Sequence, residues 1–140
     1  MELVELTSEN IDQYLAECTK VQEHLRQSEE ANDPMQIKAT AAAVHSYFIA
    51  LVSDERVAGL GVANKIVHPI RTNAYIDNVV VHPDFRGQSL FTVIMDALEA
   101  KAVEWGASQT KLTCSREPVQ PLYERRGYRV KETNYYVKKL

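Results

Sequence analysis

The sequence has few cysteines, little excess charge and no long apolar segment, and each shortage excludes a class of protein. Two cysteines, Cys18 and Cys114, lack the spacing to each other or to histidines that a zinc site requires, so we expect reduced thiols and no metal. The net charge of −3 does not supply the basic surface that general nucleic-acid binding needs. No apolar run approaches the roughly 18 residues of a membrane span, and residues 1–6 lack a signal-peptide pattern. We therefore expect a cytoplasmic protein with neither nucleic-acid nor membrane partners.

The remaining composition is that of an ordinary globular protein. Hydrophobic residues make up 45% of the 140 residues and charged residues 25%, which is enough to form one substantial core. No repeat, low-complexity tract or linker divides the chain. The sequence therefore predicts a single domain over residues 1–140.

Hydrophobic periodicity predicts an alternation of strands and helices. The predicted strands cover residues 2–6, 47–52, 57–64, 74–81, 110–114 and one or two segments of 128–140. The predicted helices cover about residues 9–28, 34–43, 90–105 and 118–126. A polar loop is expected over residues 65–73, and Gly59 and Gly61 indicate a bulge or a close backbone approach. The strand–helix–strand unit around residue 90 predicts a parallel pair between the strand ending at Val81 and the strand at residues 111–114.

The segment after the strand at residues 74–81 has the features of an anion-binding loop. The strand ends at His82 and Pro83, because proline cannot continue a sheet ladder. A short loop of residues 84–88 then leads into a helix whose first N–H groups have no helical partner. These N–H groups, the helix dipole and Arg86 all favour negative charge. We expect a phosphate or pyrophosphate here.

Two sequence blocks resemble motifs of the GNAT family of N-acetyltransferases. Residues 86–91, Arg-Gly-Gln-Ser-Leu-Phe, are similar to the family's Gln/Arg-x-x-Gly-x-Gly/Ala, with Ser89 and Phe91 in place of the small motif residues. Residues 122–128, Leu-Tyr-Glu-Arg-Arg-Gly-Tyr, are similar to its Leu/Phe-Tyr-Glu-x-x-Gly-Phe/Tyr. The resemblance implies an α/β (α+β) fold in three layers. Its central mixed sheet would have six or seven strands flanked by about four helices.

The resemblance also implies acetyl-CoA as the co-substrate. Its pyrophosphate would bind residues of the loop, namely Arg86, Gly87, Gln88, Ser89, Leu90 and Phe91. Its pantetheine arm would lie along the preceding strand, at Val79, Val80 and Val81. Arg116 stands where many family members carry an asparagine that helps to hold the coenzyme. An arginine there could reach a coenzyme phosphate or form a surface pair with Glu117 or Glu124.

The catalytic residues are also inferred from the resemblance. Tyr123 matches the family position that protonates the departing sulfur, since a phenol can donate to a thiolate, with a packing role as the alternative. Asp77 lies where some members place a base, and it could deprotonate the amine, attract it as an ammonium or have a structural role. His82 has the better pKa for a base, but histidine before proline at a strand end is typical of a turn. Cys114 has no neighbouring histidine in sequence, so direct transfer is favoured over an acyl-cysteine.

The acceptor is not identified by the sequence beyond its chemical class. Asn78, His68 and Arg71 are candidate substrate contacts, and the acceptor would be an amine on a small molecule or a protein. The sequence predicts an acetyl-CoA-dependent N-acetyltransferase that is a monomer or a homodimer. The alternative is a non-catalytic acyl-CoA sensor or interaction module with the same fold, which the replacements at Ser89 and Phe91 favour.

Overall fold

In the part of the chain that the structure describes, five strands form one mixed sheet and lie side by side in chain order. The computed structural model describes residues 1–25 and 33–140, so residues 26–28 of the first predicted helix lie outside the described residues. The strands are β1 (Glu2–Glu5), β2 (Ser46–Ser53), β3 (Arg56–Val67), β4 (Thr72–Val81) and β5 (Gln109–Lys111). The helices are α1 (Ile11–Gln22), α2 (Pro34–Ala42), α3 (Leu90–Glu104) and α4 (Gln120–Glu124), with a 3-10 turn at Pro83–Phe85.

Strand pairing changes direction once across the sheet. β1 to β4 pair antiparallel through successive neighbours, whereas β4 and β5 pair parallel. The parallel contact is short and joins Asn73, Ala74 and Tyr75 to residues 109–111. This pair confirms the predicted crossover, because α3 connects two parallel neighbours of the same sheet.

The sheet carries a core on each face, which gives three layers. On one face α1 and α2 cover a cluster that includes Ile11, Cys18, Phe48, Leu60 and Val62. On the other face α3 covers a second cluster, which includes Ile49, Ile76, Ile94, Met95 and Leu98. No helix in residues 1–25 and 33–140 is both long and apolar enough to cross a membrane.

Two glycines of β3 allow α3 to approach the sheet closely. A Cβ atom at Gly61 would lie 2.5 Å from Ile94 Cγ2, and one at Gly59 would lie 2.9 Å from Ile94 Cδ1. Both separations are well below van der Waals contact, so any larger residue would push the helix away. The close approach fixes the start of α3, and with it the loop that precedes the helix.

The predicted strand count and several strand limits were wrong. The described residues form five strands rather than six or seven, because residues 128–140 form no strand although their β-branched and aromatic residues favour one. Strand formation also needs a pairing edge, and this segment pairs with none in the chain that is described. β5 is likewise shorter than the predicted 110–114. The predicted loop over 65–73 is a tight hairpin, in which Ile66 and Val67 pair with Asn73 and Thr72.

Candidate active site

The second half of β4 has one unpaired edge. Tyr75 pairs with Lys111, and beyond this point no described residue of β5 pairs with residues 76–81. Two parallel strands that pair at one end only leave a cleft between their other ends. The main-chain N–H and C=O groups along this edge of β4 can therefore bind an extended ligand in the manner of an added strand.

A β-bulge lies in the middle of this free edge. Leu60 of β3 pairs with Val80, but Val62 pairs with Asp77, so β4 has one extra residue between these pairs. Asn78, within the bulge, has a φ of +53°, a region that asparagine tolerates better than most residues. A bulge increases the local twist and redirects the neighbouring groups. The sequence indicated Asn78 as a substrate contact, and Gly59 and Gly61 indicated a bulge or a close approach in the neighbouring strand, but the sequence did not place the extra residue on β4.

The loop after β4 presents backbone N–H groups to solvent. Gly87 and Ser89 have φ values of +82° and +59°, and α3 begins at Leu90. Among the described residues, no acceptor is found for the N–H groups of residues 87–90. Ser89 occupies the N-cap position of α3, but its side chain makes no capping hydrogen bond. The left-handed backbone at residue 89 gives a physical reason for the glycine that the GNAT motif has there.

Contacts on the strand side hold the loop in place. The Asp84 N–H donates to His82 Nδ1 at 3.1 Å, and the Asp84 carboxylate pairs with Arg56 at 2.9 Å. The hydrogen bond from Arg56 lowers the pKa of Asp84, and the Arg56 guanidinium also lies 4.8 Å from the centre of the Phe85 ring. Arg86 Nε donates to the Val81 carbonyl at 3.3 Å. Residues 87–89 therefore lie between an anchored turn and the start of α3.

Phe91 packs away from the solvent side of the loop. Its ring contacts the second core cluster and meets the ring of Tyr123 edge to face, with centroids 5.2 Å apart. Phe91 lies in the first turn of α3, and its ring packs on the side of the helix that faces the second core cluster. The exposed N–H groups of residues 87–89 remain accessible with a phenylalanine at this position.

Tyr123 lies half-buried on α4 beside the cleft. Burial raises its pKa to about 12, and the nearby negative charges of the Cys114 thiolate form and of Asp77 act in the same direction. Partial desolvation also raises the pKa of Asp77, although its side chain still reaches solvent, as expected inside a cleft. The structure therefore brings Tyr123, Asp77 and Cys114 into one neighbourhood.

Polar contacts fix α4 and the chain that follows it. Arg126 pairs with Asp96 at 2.6 Å and with Glu99 at 2.5 Å, which joins the end of α4 to α3. The Tyr128 hydroxyl donates to Glu99 and accepts a hydrogen bond from Thr110, each at 2.8 Å. Nothing in the local sequence predicts this network, because its members lie on distant segments. The one local indication of the network is a charged residue, Arg126, next to Gly127, where the predicted helix ends.

Other predicted site residues lie outside the cleft or have structural partners. His68 and Arg71 form the exposed β3–β4 turn, six or more residues from Asp77 along β4, or about 20 Å in an extended strand. The structure does not bring these two residues to the cleft. His82 Nδ1 accepts the turn hydrogen bond described above, which favours its structural role. The Cys114 thiol donates to the Arg116 carbonyl at 3.6 Å.

Arg116 is exposed beyond β5. Within the described part of the chain its guanidinium forms neither of the ion pairs that the sequence offered, with Glu117 or with Glu124. Its charge is therefore available to an anion. Over residues 1–25 and 33–140, no three histidine, cysteine or acidic side chains lie close enough to hold a metal ion.

The cleft lies where the parallel strands β4 and β5 stop pairing, and a loop with free N–H groups lies beside it. This arrangement is suited to an extended anionic ligand. Residues 8–128 match the sequence model of the Acetyltransferase (GNAT) family. The chain belongs to this family and is an acetyltransferase of the GNAT type, as its two sequence blocks predicted. No curated protein sequence matches the chain.

Solved structures of acetyltransferases share the fold over the full length. A Trypanosoma brucei acetyltransferase is 20% identical with a TM-score of 0.78, and the match covers 99% of each chain. A ribosomal-protein-alanine N-acetyltransferase from Brucella melitensis biovar Abortus 2308 is 18% identical, with a TM-score of 0.78 and complete coverage of both chains. Glucosamine-6-phosphate N-acetyltransferase from Arabidopsis thaliana is 15% identical with a TM-score of 0.78, covering 98% of this chain and 97% of that one. At these identities the likeness concerns the fold.

Proposed function

We propose that this protein transfers the acetyl group of acetyl-CoA directly to an amine, acting as a single domain over residues 1–140. One observation carries the proposal: the free edge of β4 leads, through the turn at Pro83–Phe85, to a loop whose N–H groups have no acceptor among the described residues. An edge of this kind fits the amide-bearing pantetheine arm, and the loop fits the pyrophosphate. The two lie in the order in which these groups occur in the coenzyme.

The coenzyme would contact both elements through the main chain. Residues 79–81 would bind the pantetheine amides, while the N–H groups of residues 87–91 and the Arg86 guanidinium would bind the pyrophosphate. Arg116, exposed at the far side of the cleft, would reach a further phosphate. Because most donors are backbone groups, the replacement of motif residues by Ser89 and Phe91 is compatible with binding.

The reaction would proceed by direct attack within the cleft. The neutral amine attacks the thioester carbonyl carbon, and a backbone N–H near Val79 or Val80 stabilises the oxyanion. The carbon–sulfur bond then breaks with its electron pair on sulfur. Tyr123 donates to that sulfur, and Asp77 or a water molecule takes the proton from the amine.

The high pKa of Tyr123 limits how it could assist departure of the thiolate. A phenol with a pKa of about 12 is a weaker acid than a thiol with a pKa near 8.5, so complete transfer to a free thiolate is uphill. Its high pKa does keep the hydroxyl protonated at neutral pH. Tyr123 would therefore act mainly by hydrogen-bond donation while negative charge develops on the sulfur.

Asp77 would act on the acceptor side. Its carboxyl group is open to solvent and lies near Tyr123, so an amine held between the two would meet a negative charge. The raised pKa makes the carboxylate a better base than an ordinary aspartate. It could act through water or by attracting the ammonium form. The acceptor would enter beside Asp77 and Asn78, whereas His68 and Arg71 lie too far along β4 for a direct contact.

The packing of Phe91 argues for the enzyme over the non-catalytic sensor. That alternative drew support from a bulky residue at position 91, which would weaken the loop if its ring covered the N–H groups. The ring packs on Tyr123 instead. The contact holds the ring of the proposed acid in place, which an enzyme needs and a sensor does not.

Calorimetric titration with two ligands tests the coenzyme site. Acetyl-CoA and S-acetylpantetheine share the thioester arm, but only acetyl-CoA carries the pyrophosphate. We expect acetyl-CoA to bind at least 100-fold more tightly, because the loop contacts are absent from the shorter ligand. Equal affinities would remove the loop from the site, and no binding of acetyl-CoA would contradict the proposal.

A further inference from the structure

Polar side chains continue one face of the sheet beyond the core that α1 and α2 cover. Val62 belongs to that core and pairs with Asp77, and the pair two residues further along these strands is Asn64 with Tyr75. Residues directly opposite each other on neighbouring strands point to the same side of a sheet, so Asp77 and Tyr75 lie on the face of Val62. The opposite face of β4 carries Ile76, which belongs to the core under α3.

Side chains of β5 and of the residues after it extend the same face. Lys111 lies beside Tyr75 in the parallel pair, and the Tyr75 hydroxyl donates to Thr113 Oγ1 at 3.3 Å. Leu112, between these two residues of the chain, packs against the core under α3. Alternation therefore puts Lys111 and Thr113 on the side that carries Tyr75. We call this surface the polar face, and it consists of Asn64, Tyr75, Asp77, Lys111 and Thr113.

The polar face carries two charges of opposite sign that are not paired. The Asp77 side chain reaches solvent, and Lys111 is exposed. Among the residues that the structure describes, no acidic side chain lies within ion-pair distance of Lys111 Nζ. Asp77 is two residues from Tyr75, which lies beside Lys111, so the Cα atoms of the two charged residues are about 8 Å apart. Both charges are therefore available to one small ligand.

Lys111 is too far from the loop at residues 86–91 to bind the pyrophosphate of the coenzyme. Lys111 lies beside Tyr75, whereas the loop follows the other end of β4, beyond Val81. The six residue steps from Tyr75 to Val81 span about 20 Å in an extended strand, which is much longer than a lysine side chain. The anion that Lys111 can attract within the cleft is therefore one that belongs to the acceptor.

We propose that the acceptor is an amine that also carries an anionic group, a carboxylate or a phosphate, a few bonds from its nitrogen. The amine binds beside Asp77 and the anion binds Lys111, while the hydroxyl groups of Tyr75 and Thr113 supply hydrogen bonds between the two charges. Free amino acids are the simplest compounds of this kind, whereas a peptide N-terminus lacks the adjacent carboxylate. The inference rests on the proposed acetyl transfer, since it assigns the chemical class of that reaction's substrate.

Steady-state kinetics with matched acceptors test this assignment. The pairs are the common amino acids with their amides, and phosphoethanolamine with ethanolamine, so the members of each pair differ in the anion. For the best anionic acceptor, kcat/KM should be at least tenfold above that of its uncharged partner, and Lys111→Gln should lower this ratio at least fivefold. Lys111→Arg should retain the ratio. Lys65→Gln is the matched control and should also retain it, because Lys65 pairs with Ala74 and so lies on the opposite face.

A ratio that changes less than fivefold in Lys111→Gln, or a preference for the uncharged member of every pair, would overturn the inference even where acetyl transfer occurs. Calorimetry on the protein saturated with CoA measures acceptor binding without the reaction, because CoA has no acetyl group to transfer. Anionic amines should bind this complex, and Lys111→Gln should weaken their binding at least fivefold. Such binding without any transfer from acetyl-CoA would contradict the proposed reaction but support the anionic-amine site. Equal affinities of the two proteins would overturn the site.

Discussion

The ring of Phe91 meets the ring of Tyr123 edge to face, with centroids 5.2 Å apart and an angle of 74° between their planes. Phe91 begins the helix that follows the loop, and Tyr123 lies on the last helix of the fold. The contact therefore joins the proposed coenzyme loop to the proposed acid. Edge-to-face pairs of this kind contribute about 0.5–1.5 kcal/mol beyond the area that they bury.

The first prediction concerns the coupling between these two rings. Tyr123→Phe should lower kcat about 10- to 100-fold, because the thiolate leaves without a hydrogen-bond donor, while the coenzyme Kd changes less than threefold. Phe91→Ala should lower kcat by about three- to tenfold by releasing the Tyr123 ring. In the double variant the Phe91→Ala change should have no further effect on kcat.

Steady-state kinetics and calorimetry on the four proteins measure this cycle. Tyr14→Phe, which removes a hydroxyl from α1, is the matched control and should leave kcat unchanged. Additive losses in the double variant would show that Phe91 does not act through Tyr123. An unchanged kcat in Tyr123→Phe would remove Tyr123 from the mechanism.

The second prediction concerns the charge of the loop. Gly87→Glu should raise the Kd for acetyl-CoA at least 100-fold, because it places a carboxylate among the N–H groups that would bind the pyrophosphate. Gly106→Glu is the matched control, since Gly106 has a similar φ of +73°, and a Cβ atom at either glycine would meet no neighbour within 4 Å. Both variants add one negative charge and a side chain at a left-handed position. A difference between their acetyl-CoA Kd values, measured by calorimetry, therefore reports the location of the charge in the loop. Equal affinities for the two variants would place the phosphates elsewhere.

The third prediction concerns the ionisation of Asp77. Its pKa is raised in the folded protein by partial desolvation, so the charged form is disfavoured by folding. The folded state then binds protons more strongly than the unfolded state, and Asp77 lowers stability at pH values above its folded pKa. This penalty disappears as the pH falls below the unfolded value near 3.9.

Asp77→Asn should therefore lower kcat/KM while leaving Tm at pH 7 equal or higher. The acidic limb that Asp77 contributes to the pH profile of kcat/KM should be absent from the variant. Thermal melts at pH 7 and pH 4 should show the Tm advantage shrinking toward the lower pH. A loss of activity together with a lower Tm at pH 7 would indicate a structural role for Asp77.

The fourth prediction concerns the contact that holds α4 on α3. Arg126→Ala should lower the free energy of unfolding by roughly 1–2 kcal/mol, because it leaves the partly buried Glu99 without its cation. Arg125→Ala is the neighbouring control, and its exposed side chain should cost less than about 0.5 kcal/mol. Urea denaturation measures both. Similar losses for the two variants would show that the Asp96 and Glu99 pairs contribute little.

The features read correctly from the sequence depend on local chemistry. Pro83 ended a strand, as its missing N–H predicted. Near residue 90 the apolar spacing changed from strand to helix, which located the start of α3. Each signal acts over a few residues, so periodicity and turn chemistry identify it.

The features that were missed depend on contacts between distant segments. The glycines of β3 indicated a bulge or a close approach, but the position of the extra residue at Asn78 arises from the register of β4 against β3. The direction of Phe91 is set by packing against Tyr123. Residues 128–140 have strand-forming composition, but a strand also requires a paired neighbour, and this segment pairs with no strand in the described part of the chain. The partners of Arg126, Asp96 and Glu99, lie about 30 residues away on α3, so its ion pairs cannot be predicted from local sequence.

The most direct test of the central claim is an assay of free thiol released from acetyl-CoA across a panel of amines. We predict that at least one amine gives release above the rate of hydrolysis, with one equivalent of N-acetylated product by mass spectrometry and a strongly reduced rate in Tyr123→Phe. Tight binding of acetyl-CoA with no amine-dependent release of thiol, across small amines and peptide N-termini alike, would contradict the enzyme and favour the sensor.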